Sequence, residues 1–385
     1  MENFSFSNPV KILFGKGQIA NITAELPANV RILLVYGGGS IKLNGVYDQV
    51  VAALKGFQVE EFSGIEPNPH YETCMQAVEI IKSKKIDYLL AVGGGSVIDA
   101  TKFIVAAACY DKGDPWEILE KHAPVQKALP FGTVLTLPAT GSEMNAGAVI
   151  TRAADKNKLA FGSDLVYPKF SVLDPSVTFT LPIRQIGNGV VDTFVHVAEQ
   201  YLTYPANGLL QDYFAEGVLK TLVIEGPKAL QDPTDYDVRA NLMWASTWAL
   251  NGWIGSGVPE DWATHAIGHE LTALYGLDHG QTLAIVLPGT LRVLKEQKGD
   301  KIIRLGEQVF GIYNNLSREE RIEYTINAVD SFFNEMGVKT HLDDYGLGLE
   351  AVESVYQRLK TRGWVLGEKR NVTAEVVKDI LLTRL

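Results

Sequence analysis

Through the first half of the chain, apolar runs of strand length alternate with longer stretches whose apolar residues recur at helical spacing. Arg31–Tyr36 (RILLVY) and Asp87–Val92 (DYLLAV) are apolar without alternation, as strands buried on both faces are. Gln58–Phe62, Gly132–Leu137 and Phe170–Leu173 add further strands, and Val46–Lys55, Tyr71–Ser83 and Val97–Cys109 read as the helices between. Phe4–Phe14, interrupted by Pro9, reads as an edge strand or hairpin, and Gly113–Leu129 as a surface excursion. Alternating strands and helices predict a parallel sheet with right-handed crossovers. Residues 1–180 are therefore expected to form a doubly wound, Rossmann-like α/β domain of the dinucleotide-binding kind. From Ile183 onward the pattern is helical, as in Gly189–Leu202, Leu210–Val223, Val238–Asn251, Thr264–Leu274, Lys301–Phe310, Arg318–Met336 and Leu349–Arg362. Residues 181–385 are expected to form an all-helical domain, with the boundary near Leu181. No internal repeat or low-complexity segment interrupts this plan.

Composition adds exclusions. At 385 residues, 46% hydrophobic and 21% charged, the chain can bury two cores. A net charge of −10 with no basic block argues against a nucleic-acid partner. No run of eighteen apolar residues exists, so no membrane partner is expected. The first residues lack the basic and apolar regions of a signal peptide. Cys74 and Cys109 sit in apolar helical stretches and read as reduced thiols of a cytoplasmic protein.

The chemistry concentrates in Asp261–Pro288, DWATHAIGHELTALYGLDHGQTLAIVLP. It holds His265, His269 and His279, three of the seven histidines. His265 and His269 are four apart, on one face of a helix that Gly276 ends, and a short turn brings His279 back. Upstream, Asp192 and His196 are also four apart on a helix. Two helices and a turn can aim one carboxylate and three imidazoles at one point, a donor set for a divalent first-row metal. A single such pair is common, and a lone histidine on an apolar face is more often a core or cap residue. With no thiolate, Fe2+ and Zn2+ both suit the set.

Two loops repeat the order strand-Gly-Gly-Gly-Ser-helix, at Gly37-Gly38-Gly39-Ser40 and Gly93-Gly94-Gly95-Ser96. Glycine lets backbone approach a phosphate, and a helix N-terminus offers free N–H groups. Neither copy is the G-x-G-x-x-G fingerprint, and either alone could be a tight turn. Ser96 and Asp99 fit a capping box; equally, Gly94, Gly95 and Ser96 could hold a pyrophosphate with Asp99 facing the ribose. A third loop, Leu137–Asn145, carries Thr140 and Ser142, which could line a cofactor or cap a helix. Lys158 could reach a phosphate or be solvated. The first loop contains no acid to bond a ribose 2′-hydroxyl and has Ser40 and Lys42 beside it, which favours NADP(H) over NAD(H).

The stretches YGGGSIKLNGVYDQV, AVGGGSVIDATK, TLPATGSEMNAGAVITR, RQIGNGVVDTFVHVAEQYLT and HAIGHELTALYGLDHGQTLAIVLP carry a family resemblance over essentially the whole chain. The chain resembles the iron-containing (group III) alcohol dehydrogenases, and within them the NADPH-dependent aldehyde reductase and butanol dehydrogenase branch. The resemblance implies an NADP(H)-dependent, metal-containing oxidoreductase of dehydroquinate synthase-like architecture, and a homodimer. It implies Asp192, His196, His265 and His279 as metal ligands, and His269 as a catalytic residue near nicotinamide and substrate. It implies Gly94, Gly95, Ser96 and Asp99 at the pyrophosphate and nicotinamide ribose, and Thr136, Pro138, Thr140 and Ser142 near adenine and phosphates. Lys158 matches a lysine near the cofactor. Many members read A-G-T-G-S-E where this chain reads Pro138-Ala139-Thr140-Gly141-Ser142-Glu143, a form shared by the branch.

An aldehyde gaining a hydride builds charge on its oxygen, which a metal stabilises, with His269 relaying a proton. The ligand is expected in a cleft at the C-terminal edge of the sheet. Trp244, Trp248, Trp253 and Trp262 precede the histidine stretch, and any that line the pocket would favour uncharged aldehydes. A sugar-phosphate cyclase of the dehydroquinate synthase type would need more Lys, Arg and Asn around Asp192–His279. A metallohydrolase, or a nucleotide-binding protein without activity, would leave either the loops or the ligand set unexplained.

Overall fold

The computed structural model describes residues 1–313 and 316–385. Its strands are β1 (Lys11–Phe14), β2 (Arg31–Tyr36), β3 (Gln58–Phe62), β4 (Tyr88–Gly93), β5 (Phe131–Leu135), β6 (Gly147–Arg152), β7 (Asn157–Gly162) and β8 (Phe170–Leu173). The helices before the last strand are α1 (Ile22–Glu25), α2 (Ser40–Leu43), α3 (Val46–Ala53), α4 (Tyr71–Lys84), α5 (Gly95–Ala107) and α6 (Glu117–Glu120). After it come α7 (Ile183–Tyr201), α8 (Leu209–Gln231), α9 (Tyr236–Ala249), α10 (Ala263–Tyr275) and α11 (His279–Val293). The last are α12 (Lys295–Val309), α13 (Arg318–Glu335), α14 (Leu349–Arg362) and α15 (Ala374–Leu382).

Six strands form one parallel sheet in the order β1-β8-β5-β4-β2-β3. Alternate residues of β2 and β4 serve two cores. Ile32, Leu34, Tyr88 and Leu90 pack with Ile19, Val46 and Val50 on one face. Leu33, Val35, Leu89 and Ala91 pack with Ala77, Val78, Ile98 and Phe103 on the other. Burial on both faces is why these strands read as unbroken apolar runs. From β2 the chain steps outward to β3, then returns to β4 on the opposite side. The strand order therefore reverses between β2 and β4, where ligands of open α/β sheets bind.

Of the two readings of Phe4–Phe14, the edge strand forms, over Lys11–Phe14 and parallel to β8. The hairpin lies instead at β6 and β7, which pair antiparallel. Its turn carries Lys156 at φ 53 rather than a glycine, so the usual hairpin signal is missing.

Contacts divide the chain into two compact units. One is Ser7–Leu181 with Pro233–Thr247, and the other is Met1–Phe6, Pro182–Asp232 and Trp248–Leu385. Two segments thus depart from the simple division expected at Leu181. Pro233–Thr247 is tied to the sheet unit by buried polar bonds. Arg239 Nε donates to Thr178 Oγ1 at 2.9 Å, and Thr247 Oγ1 donates to Glu143 Oε1 at 2.6 Å. No helix among the described residues is long and apolar enough to cross a membrane.

Within the helical unit, α11 and α15 were not expected. Gly280, Pro288 and Gly289 break the look of a helix in α11, yet buried Leu283, Ile285, Val286 and Leu287 hold it. Pro227 likewise lies inside α8, which runs past the expected end at Val223. The start of α11 is fixed on α7. Asp278 and Gln281 form a capping box. Asn188 Nδ2 donates to Asp278 Oδ2 at 2.8 Å, and Arg184 pairs with the same carboxylate at 3.0 Å. Gly280 permits the approach, since a Cβ there would lie 2.6 Å from the Asn188 carbonyl oxygen. Gly280→Ala must push two helix backbones apart, and should cost about 1–3 kcal/mol of stability. A melting temperature unchanged from wild type would contradict this packing.

Candidate metal centre and nucleotide loops

Three helices bring four ligand side chains together. Asp192 and His196 lie one turn apart on α7, His265 is in the first turn of α10, and His279 opens α11. One ligand atom from each lies within 4.8 Å of all the others. Asp192 Oδ1 is 3.2 Å from His196 Nδ1 and 3.7 Å from His279 Nε2. The His265 ring centroid is 4.4 Å from that of His196 and 5.2 Å from that of His279. Asp192, His196 and His265 are buried.

The protonation pattern suits a metal. His196 Nδ1 faces the Asp192 carbonyl oxygen at 2.9 Å, so that nitrogen carries the hydrogen and Nε2 keeps its lone pair. Burial pushes His196 down to about 4, against the opposing pull of Asp192, so the ring is neutral at physiological pH. One carboxylate with neutral imidazoles fits a divalent ion of the Fe2+ or Zn2+ type. His269, one turn beyond His265, is outside this four-atom group. Its ring centroid is 5.4 Å from that of His279 and 6.4 Å from that of His265.

A second set of charges lies behind the ligands. The Glu199 carboxylate meets His265 Nδ1 and accepts from the backbone N–H groups of Thr264 and His265. Burial, then the Asp261 charge, pushes the Glu199 carboxyl well above its usual range, while the two backbone N–H bonds oppose that shift. Lys298, also buried, donates to Asp261 Oδ2 at 2.7 Å, to Glu368 at 3.1 Å and to the Leu202 carbonyl oxygen at 2.6 Å. Glu199 is not among the site residues expected from the sequence. The signal was there: Asp192, His196 and Glu199 are spaced four and three, which puts all three on one helix face.

Of Trp244, Trp248, Trp253 and Trp262, the last stands at the ligands, 5.3 Å from the His265 ring. Trp248 and Trp253 pack on Phe214, and Trp244 packs on Phe14 in the sheet unit.

In the sheet unit, the loops after β2, β4 and β5 leave three adjacent strands at the same edge. The second and third are packed together. A Cβ on Gly95 would lie 2.5 Å from Thr140 Oγ1, and one on Gly94 3.0 Å from Leu137 Cβ. The capping box expected of Ser96 and Asp99 does not form, and α5 has no side-chain cap. Asp99 instead accepts from Ser142 Oγ at 2.5 Å and from the Val149 N–H at 2.9 Å. Ser142 also receives a bond from buried Lys102. Thr136 donates its N–H to the Gly93 carbonyl oxygen at 3.0 Å, at the end of β4, and Pro138 follows it into the third loop. Lys158 is buried and donates to Asn68 Oδ1 at 2.9 Å, while the Asn68 N–H donates to Ser96 Oγ at 3.3 Å. Asn68, in a left-handed conformation at φ 56 between two prolines, thus joins two expected site residues and was not itself expected.

In the first loop, Gly38 has nothing within 4 Å of where a Cβ would lie, and its φ is not in the left-handed range. Lys42 lies over the Tyr36 and Tyr47 rings, 3.6 Å from Glu61 on β3. The Glu61 carboxylate accepts from the Tyr36 and Tyr47 hydroxyls at 2.7 and 2.5 Å.

The sequence matches two family models: iron-containing alcohol dehydrogenase over residues 9–175, and the C-terminal model of the Fe-containing alcohol dehydrogenase family over residues 187–385. It is 54% identical over 383 residues to the NADPH-dependent aldehyde reductase YqhD of Escherichia coli, covering 99% of each chain. It is 42% identical to a probable NADH-dependent butanol dehydrogenase of Bacillus subtilis, covering 100% of each. The crystal structure of E. coli YqhD superposes with a TM-score of 0.98 at 53% identity, over 100% of this chain and 99% of that one. The NADH-dependent butanol dehydrogenase A of Thermotoga maritima superposes with a TM-score of 0.95 at 40% identity, with the same coverage.

Asp192→Ala and His265→Ala each remove one donor from the group. Both purified proteins should hold less than about a tenth of the wild-type metal while keeping their fold. Elemental analysis beside circular dichroism checks this, and full metal content in both would refute the ligand set.

Proposed function

The chain belongs to the iron-containing alcohol dehydrogenase family, and from that membership we propose hydride transfer between NADP(H) and an aldehyde/primary alcohol pair, at a divalent ion held by Asp192, His196, His265 and His279. It is a metal-dependent oxidoreductase rather than a sugar-phosphate cyclase or a metallohydrolase. The buried four-ligand group carries the proposal for the metal, and Fe2+ or Zn2+ would serve.

When bound, the ion supplies Lewis acidity toward a carbonyl oxygen and the nicotinamide supplies the hydride. The chain's own residues do the rest. Asp192 and the three imidazoles would hold the ion. His269 moves a proton to or from the substrate oxygen; its half-buried ring beside His279 supports that role. The Trp262 ring packs edge-on beside His265. Gly94, Gly95 and Ser96, at the N-terminus of α5, are proposed to hold the pyrophosphate. Thr136, Pro138, Thr140 and Lys158 would bound the nucleotide, with Asp99 and Ser142 bracing the second and third loops against each other.

The relatives' names divide between NADPH and NADH, so cofactor choice must be read from residues. The loop Gly37–Ser40 offers no acid, and Lys42 offers a cation. Glu61 on β3 is the acid beside Lys42, and two phenols as well as Lys42 already engage it. These features support NADP(H).

Two measurements test the reading. NADPH oxidation with a panel of aldehydes, with and without added metal, should be metal-dependent and fastest with uncharged medium-chain or aromatic aldehydes. A marked preference for carboxylated or phosphorylated substrates would contradict it. Gly38→Asp puts a like charge against a 2′-phosphate at an unstrained, open position. It should weaken NADPH relative to NADH on the order of a hundredfold in kcat/KM. A wild type that favours NADH, or a mutant with an unchanged ratio, would show that this loop does not read the 2′ position.

A further inference from the structure

The helix that bears His265 gets no cap bond from its N-cap residue, and one of its first donors, the Ala263 N–H, is taken locally by Asp261 Oδ1 at 2.8 Å. It begins at Ala263, after Trp262 at φ 62, and the Trp262 side chain makes no cap bond. A left-handed conformation at a bulky residue is uncommon and persists only where the surroundings impose it. The next two donors are taken by another helix. Glu199 of α7 accepts from the Thr264 N–H at 2.6 Å with Oε1 and from the His265 N–H at 3.1 Å with Oε2. These are first-turn donors that an α-helix leaves unsatisfied. The same Oε2 also meets Nδ1 of the His265 ring. In addition, the Asp261 N–H donates to the Glu199 carbonyl oxygen at 3.0 Å, so side chain and backbone of one residue hold the entry to α10.

We propose that Glu199 is the positioning residue of the metal centre: one carboxylate fixes both the seat of α10 on α7 and the ring orientation of His265. The inference rests on the metal reading above. Glu199 does not belong to the four-atom group; it acts through His265. Because Nδ1 donates to the carboxylate, Nε2 is the nitrogen left to ligate. A carboxylate behind a ligand imidazole also makes it a better donor and fixes its tautomer. The spacing of Asp192, His196 and Glu199 on one face of α7 makes the device self-aligning. Two ligands and the brace for the third ride on the same rigid element.

Glutamine cannot substitute. It has one oxygen for three donors, and its amide nitrogen would face another N–H. The test is titration of metal-free protein with Zn2+ against a competing chelator, with melting of the metal-free protein measured alongside. Glu199→Gln should bind Zn2+ about 10–100-fold more weakly. Glu199→Asp keeps both carboxyl oxygens but retracts them by one methylene, and should also bind at least about tenfold more weakly. A residue that only capped the helix would lower the melting temperature and leave Zn2+ affinity unchanged, which would overturn the proposal. Wild type that binds no Zn2+ would overturn the metal reading itself. Should neither variant fold, the crystal structure of the Zn2+-loaded wild type decides. His265 ligating through Nε2 with Nδ1 on Glu199 is expected, and ligation through Nδ1 would refute the role.

Discussion

One carboxylate and three imidazoles gathered in a largely buried space are the constraint on which the helical unit depends. Such groups are costly to bury unless each is bonded and each lone pair has a use. Their placement must be held to fractions of an ångström, because ligand geometry tolerates little more. The unit meets this with short-range locks instead of general packing. Asn188 and Arg184 hold the Asp278 carboxylate, the missing side chain of Gly280 lets α11 touch α7, and Glu199 seats α10. Behind them, the core of Ala263, Ile267, Leu271, Ile285 and Val286 with α14 and α15 supplies the bulk burial that makes those locks rigid.

The sheet unit solves a different problem. Its strand order reverses between β2 and β4, and the two Gly-Gly-Gly-Ser loops follow those two strands. Gly94 and Gly95 of the second loop are already required by the third, since Leu137 and Thr140 occupy the space where a Cβ would go. Close packing and close approach to a phosphate make the same demand on the backbone, so the residues alone do not separate them. Gly38 is different: nothing in the chain fills the space beside it.

A shared architecture does not choose a cofactor. Relatives with nearly superposable folds are named for NADPH and for NADH. The choice falls to local charge. Glu61 illustrates how an acid can be present without being available. The Tyr47 hydroxyl, more than any other group, holds its carboxyl below the ordinary value, with the Tyr36 hydroxyl and Lys42 adding to the effect.

The sequence by itself determined the class of both units. Unbroken apolar runs mean strands covered on both faces, and helical period after Ile183 means helices. Residues four apart on one helix, as Asp192 and His196 are, share a face whatever the fold. Motifs spread over the whole chain carried the family resemblance. What local pattern could not hold was anything made by chain segments far apart. Whether His265 and His279 meet Asp192 depends on where α10 and α11 dock, and only the tertiary structure fixes that. Helix α11 exists despite Pro288 because its apolar residues are buried by other helices, and the β6–β7 turn forms without the expected glycine. Glu199 acts on partners 65 and 66 residues away, and Asn68 on partners 28 and 90 away, which local pattern does not report. The Glu61 carboxylate is engaged by hydroxyls 25 and 14 residues away, which the sequence does not show. Periodicity reports which face a residue takes; only packing reports what it meets there.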